Sequence, residues 1–128
     1  MRLLLDTHTL LWWWTDDAQL PASARQLLGD ADNTVLVSAA SAWEIATKQR
    51  LGKLDGLPDA SVRFSELVAA DRFEHLPITH LHSLRAGAFD CPHRDPFDRM
   101  LAAQSALEMV PLVTRDPAFA QFDIRTVW

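Results

Sequence analysis

The sequence has little cysteine and no long apolar run. Cys91 is the only cysteine, so an intrachain disulfide cannot form, and a reducing cytoplasm is the expected location. No apolar segment is long enough to span a bilayer. The apolar start of the chain is interrupted by Asp6 and is followed by no small-residue cleavage site, which argues against a secretory signal. We therefore expect a cytoplasmic protein that does not interact with membranes.

The chain also lacks an excess of basic residues. It contains 17 Asp and Glu against 12 Lys and Arg, which gives a formal net charge of −5. Proteins that bind nucleic acid usually carry a basic surface, so this balance argues against that function. The objection weakens if several acids surround divalent cations, because a bound metal inverts the local charge. Net charge alone therefore does not decide the class of partner.

Internal repeats, low-complexity tracts and linker-like Pro/Gly/Ser stretches are also missing. The chain has 128 residues, of which 48% are apolar and 23% charged. This length and composition suit a single globular domain over residues 1–128, with an ordered core.

Short β-type segments alternate with longer helical segments along the chain. This alternation predicts an α/β fold, with a small, mostly parallel central sheet and helices on both faces. The predicted strands are Arg2–Asp6, Thr34–Val37, Glu74–Ile78, Pro111–Thr114 and Ile124–Val127. The predicted helices are Leu10–Trp14, Pro21–Leu28, Ser38–Leu51, Ala60–Ala70, Thr79–Phe89 and Pro96–Met109.

Four acidic residues are predicted to lie at one edge of this sheet. Parallel α/β sheets bind ligands outside the carboxyl ends of their strands. Asp6 ends the first strand, and Asp116 follows the strand PLVT directly. Asp98 lies at the start of the helix that leads into that strand, and Glu44 lies early in the helix after TVLV. All four side chains are therefore expected on the same side of the molecule.

Each acid also has a purely structural interpretation. Asp6 and Asp116 are well placed to cap helices or turns, and Asp95 with Asp98 resembles a capping box around Pro96. Glu44 has mostly apolar neighbours, and a buried carboxylate needs a partner. One acid at a strand end carries little information. Four at one edge are hard to explain as caps alone, so we assign Asp95 to the N-cap and Asp98 to the site.

Clustered carboxylates repel one another, and cations relieve that repulsion. Ligation by oxygen alone selects hard ions, which indicates Mg²⁺ or Mn²⁺ rather than zinc. Such sites activate water and stabilise charge on a phosphoryl group, as in metal-dependent nucleases. A zinc site built from His80, His82, Cys91 and His93 is disfavoured, because the spacing fits no usual zinc motif.

Four segments together resemble a known family: LLLDTHTLLW, SAASAWEIATKQRLGKL, DPFDRMLAAQS and PLVTRDPAF. They are similar to PIN-domain proteins and, more narrowly, to the VapC-type ribonuclease toxins of toxin–antitoxin pairs. The resemblance covers essentially the whole chain and implies a PIN-like three-layer α/β/α sandwich.

The resemblance also implies an activity, namely Mg²⁺- or Mn²⁺-dependent endonucleolytic cleavage of RNA that leaves a 5′-phosphate and a 3′-hydroxyl. The implied partners are RNA and a small cognate antitoxin. Family positions for the metal and catalytic acids correspond to Asp6, Glu44, Asp98 and Asp116. Thr7 and Thr114 fall where the family often has a supporting hydroxyl.

Several further residues are candidates for contacts with partners. Arg94, Arg99 and Arg115 flank the acids and are candidates for RNA phosphate contacts, whereas Lys48, Arg50 and Lys53 are expected to be solvated or locally paired. The residues Trp12–Trp14 cannot all face inward on one helix. An exposed Trp12 or Trp13 would suggest an interface, which favours a homodimer or a partner-bound assembly.

Three other functions are alternatives to a nuclease, and each lacks a feature or is disfavoured by one. A phosphatase of the haloacid dehalogenase type also places an aspartate after its first strand, but its second acid is replaced here by His8. A receiver-type phosphoacceptor domain would need a lysine near the last strands, and the final lysine is Lys53. A catalytically weak PIN scaffold that binds RNA or protein is disfavoured, because all four acids are present.

Overall fold

A five-stranded parallel sheet forms the centre of the computed structural model, which describes residues 1–128. Every neighbouring pair of strands is parallel, so the predicted α/β fold with a mostly parallel sheet is confirmed. The strands are β1 (Arg2–Leu5), β2 (Thr34–Ser38), β3 (Glu74–Leu76), β4 (Leu112–Val113) and β5 (Thr126–Val127). Their order across the sheet is β3-β2-β1-β4-β5, which places β1 at the centre.

Six α-helices and one 3₁₀ helix connect the strands. The α-helices are α1 (Thr7–Trp14), α2 (Ala22–Gly29), α3 (Ala39–Arg50), α4 (Ala60–Ala70), α5 (His80–Ala88) and α6 (Pro96–Glu108), and the 3₁₀ helix covers Pro117–Phe122. None of these helices has the length and apolar character needed to cross a lipid bilayer.

The helices cover both faces of the sheet because successive strand residues point to opposite sides. Leu3 and Leu5 of β1 pack with residues of α1 to α4, such as Leu10 and Ile45. Leu4 points the other way and packs against α6 and the 3₁₀ helix. This arrangement is the predicted three-layer sandwich.

Side-chain caps move several element boundaries away from their predicted positions. Asp6 is not part of β1 but the N-cap of α1, since its carboxylate accepts a hydrogen bond from the Thr9 backbone N–H. Helix α1 therefore begins at Thr7, three residues earlier than predicted. Ser38 ends β2 and caps α3 through the Ala40 N–H. Strand β3 ends at Leu76, because Pro77 has no N–H to continue the ladder.

Differences also occur in the last third of the chain. Strands β4 and β5 are two residues each, shorter than predicted. Met109 has a φ of 54° and ends α6 instead of continuing it. The 3₁₀ helix was not predicted as an element, although Asp116-Pro117 has the N-cap and first-turn pattern of its start.

The three consecutive tryptophans are all half-buried and pack in different directions. The Trp12 ring lies 6.0 Å from that of Trp128, and the Trp13 ring lies 6.0 Å from that of Phe73. Trp14 contacts α4 and donates from Nε1 to Asp71 at 3.0 Å. Partial exposure of Trp12 and Trp13 is thus confirmed, but all three rings also pack against the core.

Helix α6 begins with the predicted cap. Asp95 is the N-cap, and its Oδ1 accepts hydrogen bonds from the backbone N–H groups of Phe97 (2.9 Å) and Asp98 (3.3 Å). Pro96 occupies the first turn. The Asp98 carboxylate contacts His93 and not the Asp95 backbone, whereas the alternative capping-box interpretation would require the backbone contact.

We predict that Asp95→Ala is less stable than Asp95→Asn by about 1 kcal/mol. Both changes remove the same charge, but only Asn keeps an oxygen that can accept from the helix N–H groups. Urea denaturation at neutral pH measures the difference. Equal stability of the two variants would contradict a capping role for Asp95.

Candidate functional site

Asp6 is held rigidly at the carboxyl end of the central strand. It is 6% exposed, and both carboxylate oxygens have partners. Oδ1 accepts from the Thr9 backbone N–H at 2.7 Å, and Oδ2 accepts from the Thr114 hydroxyl. Since Thr114 follows β4, which neighbours β1 in the sheet, the contact links the ends of two adjacent strands. The predicted supporting hydroxyl therefore orients a carboxylate.

Glu44 lies on α3 and is also buried, with 8% exposure. Its Oε2 lies 3.4 Å from Lys48 Nζ, one turn further along the helix. The start of α3 lies against the start of α1, where the Thr7 and Ser41 hydroxyls are 3.0 Å apart. The second predicted hydroxyl thus aligns the helices that carry Asp6 and Glu44, rather than contacting an acid directly.

Asp98 lies in the first turn of α6, and its Oδ2 is 2.8 Å from His93 Nε2. The pKa of the Asp98 carboxyl is raised to about 6, mainly by burial; the negative charges of Asp95 and Glu44 also raise it, and the contact with His93 opposes them. Helices α3 and α6 pack together beside these acids, with the rings of Trp43 and Phe97 4.8 Å apart. A cation would lower the pKa of Asp98, because it favours the ionised carboxylate.

Asp116 differs from the other three acids because it is exposed. Its Oδ1 caps the 3₁₀ helix through the Ala118 N–H at 2.9 Å, and its own backbone N–H donates to Thr114 Oγ1. Asp116 and Asp6 line one cleft of about 290 Å³. The position of Asp116 is therefore consistent both with a helix cap and with a metal ligand.

All four acids lie at the carboxyl edge of the sheet, as their place in the topology requires. As the side chains stand, however, no group of three or more His, Cys, Asp or Glu residues is close enough to hold a metal ion. The acids approach as two pairs, with Asp6 and Asp116 on one cleft and Glu44 and Asp98 coupled by charge. Their donor atoms are all carboxylate oxygens, which suit Mg²⁺ or Mn²⁺.

The three arginines predicted to contact RNA have different surroundings. Arg99 is half-buried and donates to the backbone carbonyls of four residues, which gives it a structural role. Those residues are Ala86, Phe89, Cys91 and His93. Arg94 and Arg115 are exposed, so the prediction of an RNA contact stays with them.

Sequence reasoning did not identify His93 as part of the site. His93 lies five residues before Asp98, outside the helix, and this spacing has no helical or strand periodicity that would have pointed to the contact. Thr9 could have been found, because an N–H three residues after an Asp cap is the usual partner of that cap. Ser41 contacts Thr7 across 34 residues of sequence, and no local pattern indicates that pair.

The comparisons with known proteins agree with this fold. The PIN domain family model matches residues 3–125. The comparison with curated proteins gives no significant match.

Twelve solved chains match significantly. The chain is similar to VapBC2 of Rickettsia felis, described as bound to a DNA fragment from its promoter, with a TM-score of 0.71 and 16% identity over 100% of this chain and 98% of the other. It is also similar to VapBC-1 of nontypeable Haemophilus influenzae, with a TM-score of 0.70 and 18% identity over 99% and 97% of the two chains.

The raised pKa of Asp98 gives a testable pH dependence. Because the pKa of Asp98 in the folded protein lies above its ordinary value of 3.8, ionisation of Asp98 opposes folding increasingly as pH rises from about 4 to about 6. Asp98→Asn removes this penalty and should stabilise the metal-free protein by about 1 to 3 kcal/mol at pH 7.5. At pH 3.5 the gain should vanish.

Thermal unfolding in EDTA at both pH values measures the effect. An Asp98→Asn variant that is equally stable or less stable at pH 7.5 would argue against the burial of an unfavourable charge at this position.

Proposed function

Because this chain belongs to the PIN domain family, we propose that it is a Mg²⁺- or Mn²⁺-dependent endoribonuclease that acts as the toxin of a toxin–antitoxin pair. The observation that carries the proposal is the gathering of acids at one sheet edge. Asp6 and Glu44 are buried there, and Asp98 is largely buried.

In the proposed site Asp6, Glu44, Asp98 and Asp116 hold the cation. A bound Mg²⁺ or Mn²⁺ would supply activation of water and stabilisation of the charge that develops on the phosphodiester. The protein contributes pre-oriented oxygens, since Thr9 N–H and Thr114 Oγ1 fix both oxygens of Asp6. Fixed ligands lose less conformational freedom when the cation binds.

Glu44 and Asp98 each contact a basic side chain, and a bound cation could replace that contact. Lys48 lies 3.4 Å from Glu44, and His93 lies 2.8 Å from Asp98. These contacts stabilise the carboxylates without metal. Rotation of the flexible Lys48 side chain would free Glu44, and His93 contacts only one oxygen of Asp98, which leaves the other available to a cation.

The toxin assignment is supported by likeness to the VapBC proteins of Rickettsia felis and Haemophilus influenzae. By this proposal the partners are an RNA substrate and a small antitoxin, and the protein works in the cytoplasm as a homodimer. Surface apolar residues support a protein partner. Trp43 is 61% exposed and Leu84 is 68% exposed, on α3 and α5 respectively, and Trp43 borders an apolar pocket of about 210 Å³ beside α6.

The alternative is a PIN scaffold that binds RNA or protein without cleaving it. The purified protein should cleave single-stranded RNA with Mg²⁺ or Mn²⁺ and lose this activity in EDTA. Asp6→Asn and Asp98→Asn should abolish cleavage, because each removes a charged ligand. Asp95→Asn is the matched control, since it changes a neighbouring acid that caps the helix and should leave cleavage intact.

Thermal shift with Mn²⁺ provides a second readout of the same variants. Mn²⁺ should raise the melting temperature of the wild type and of Asp95→Asn, but not that of Asp6→Asn. Metal-dependent cleavage that persists in Asp6→Asn or Asp98→Asn would refute the ligand assignment. A wild type that binds RNA without cleaving it would favour the scaffold.

The toxin proposal has its own test in cells. Induction of the wild-type gene alone should arrest growth, and co-expression of the small gene beside it should restore growth. Asp98→Asn should be harmless at the same protein level, which separates RNA cleavage from overexpression burden. Normal growth with active wild-type protein would remove the toxin role and leave the nuclease activity in place.

A further inference from the structure

The cleft beside Asp6 carries more than acids. Its walls include an indole, an imidazole and a guanidinium in addition to the two carboxylates. The lining residues are Asp6, His8, Trp12, Arg115, Asp116 and Pro117. A metal site requires none of the three nitrogen-bearing side chains, so the proposed chemistry leaves their presence here unexplained.

The Arg115 side chain lies at the edge of this cleft and packs against the Trp12 ring. The Arg115 Cζ lies 4.5 Å from the centroid of the Trp12 ring, a cation–π distance. Arg115 Nη2 donates to Gln19 Oε1 at 2.6 Å. None of the protein's ion pairs involves Arg115, and its side chain remains exposed. The guanidinium is therefore positioned by the protein without being neutralised.

The Trp12 ring in turn packs against the core and against two other rings. The side chain is partly buried. The Trp128 ring meets it edge-on at 6.0 Å and 68°, and the His8 ring lies 5.9 Å away at 45°. An aromatic ring fixed in this way holds the Arg115 guanidinium in a constant orientation in the cleft.

The charge of the protein limits the kinds of contact that RNA can make here. The net charge is −5, Arg99 is bound to backbone carbonyls, and Lys48 is paired with Glu44. Phosphate contacts are consequently few near the acids, so they supply little of the usual affinity. Stacking of bases on aromatic rings and guanidinium planes does not depend on net charge.

We propose that Trp12 and Arg115 form a base-binding platform that holds one unpaired nucleotide of single-stranded RNA next to the acidic site. The platform deepens the proposed ribonuclease function and rests on it. The base stacks on the guanidinium that Trp12 supports, and a free N–H of Arg115 donates to the adjoining phosphate. Bases inside a duplex are stacked on one another and cannot enter, which makes the site selective for single strands.

Binding of a fluorescein-labelled oligoadenylate in EDTA tests the platform without cleavage. Fluorescence anisotropy should give a dissociation constant about 5- to 150-fold higher for Trp12→Leu than for the wild type, as expected for the loss of one stacked base. Trp14→Leu is the matched control. It lies on the same helix but faces α4, so it should bind as the wild type does once circular dichroism shows that it is folded.

The Arg115→Lys variant separates stacking from charge. Lysine keeps the positive charge but loses the planar group, so binding should weaken while the salt dependence of the dissociation constant stays unchanged. A 2-aminopurine base in the oligonucleotide should lose fluorescence on binding to the wild type. The same base should keep its fluorescence with Trp12→Leu at saturating protein, which a purely structural effect on folding would not produce.

Wild-type binding by Trp12→Leu, absence of oligoadenylate binding by the wild type, or equal affinity for duplex RNA would each overturn the platform. So would a Trp12→Leu effect confined to antitoxin binding, which would assign this face to a protein partner. These outcomes are separate from the cleavage test. Loss of the platform with retained metal-dependent cleavage would refute the platform and leave the nuclease proposal in place. Trp12-dependent binding without cleavage would support the platform and refute the nuclease proposal.

Discussion

The arrangement of the molecule depends on the burial of the Asp6 carboxylate at the end of the central strand. A carboxylate with 6% exposure must have its oxygens hydrogen-bonded, since burial without partners is costly. The Thr9 N–H ties it to the first turn of α1, and the Thr114 hydroxyl ties it to the strand on the other side. One charged group thereby joins β1, α1 and the end of β4, and it defines the edge at which the other acids lie.

The acids at this edge carry a cost in stability. Asp98 would be better ionised in water, and its burial near Asp95 and Glu44 raises its pKa to about 6. Lys48 and His93 reduce the repulsion without removing it. A protein selected for stability alone would place neutral side chains at these positions, as native stability is marginal and clustered buried charge is unfavourable. The position of these acids is therefore hard to explain by stability alone.

Much of the fold follows from local sequence rules, and much of the site does not. The alternation of strands and helices, the stop of α3 near Gly52, whose φ is 69°, and the Asp95 cap all follow from propensities that operate within a few residues. The edge location of the four acids follows from topology. Contacts such as Thr7 with Ser41, Arg115 with Trp12 and Ser38 with Gln104 join residues 34 or more apart in sequence. Only the packing of the helices onto the sheet specifies them, so no periodicity reveals them.

The hydrogen bonds of the Arg99 guanidinium restrict where residues can be inserted into the chain or deleted from it. One carbonyl of the last turn of α5 and three of the segment between α5 and α6 converge on this one side chain, so the connecting segment is folded around a residue of the helix that it precedes. Inserting or deleting a residue there would displace the carbonyls and, with them, His93 beside Asp98. The connection over residues 51–59, between α3 and α4, is mostly exposed and is attached to the core only through Leu54 and Leu57. Length differences among related chains, and engineered insertions, should therefore concentrate in that connection and avoid the one before α6.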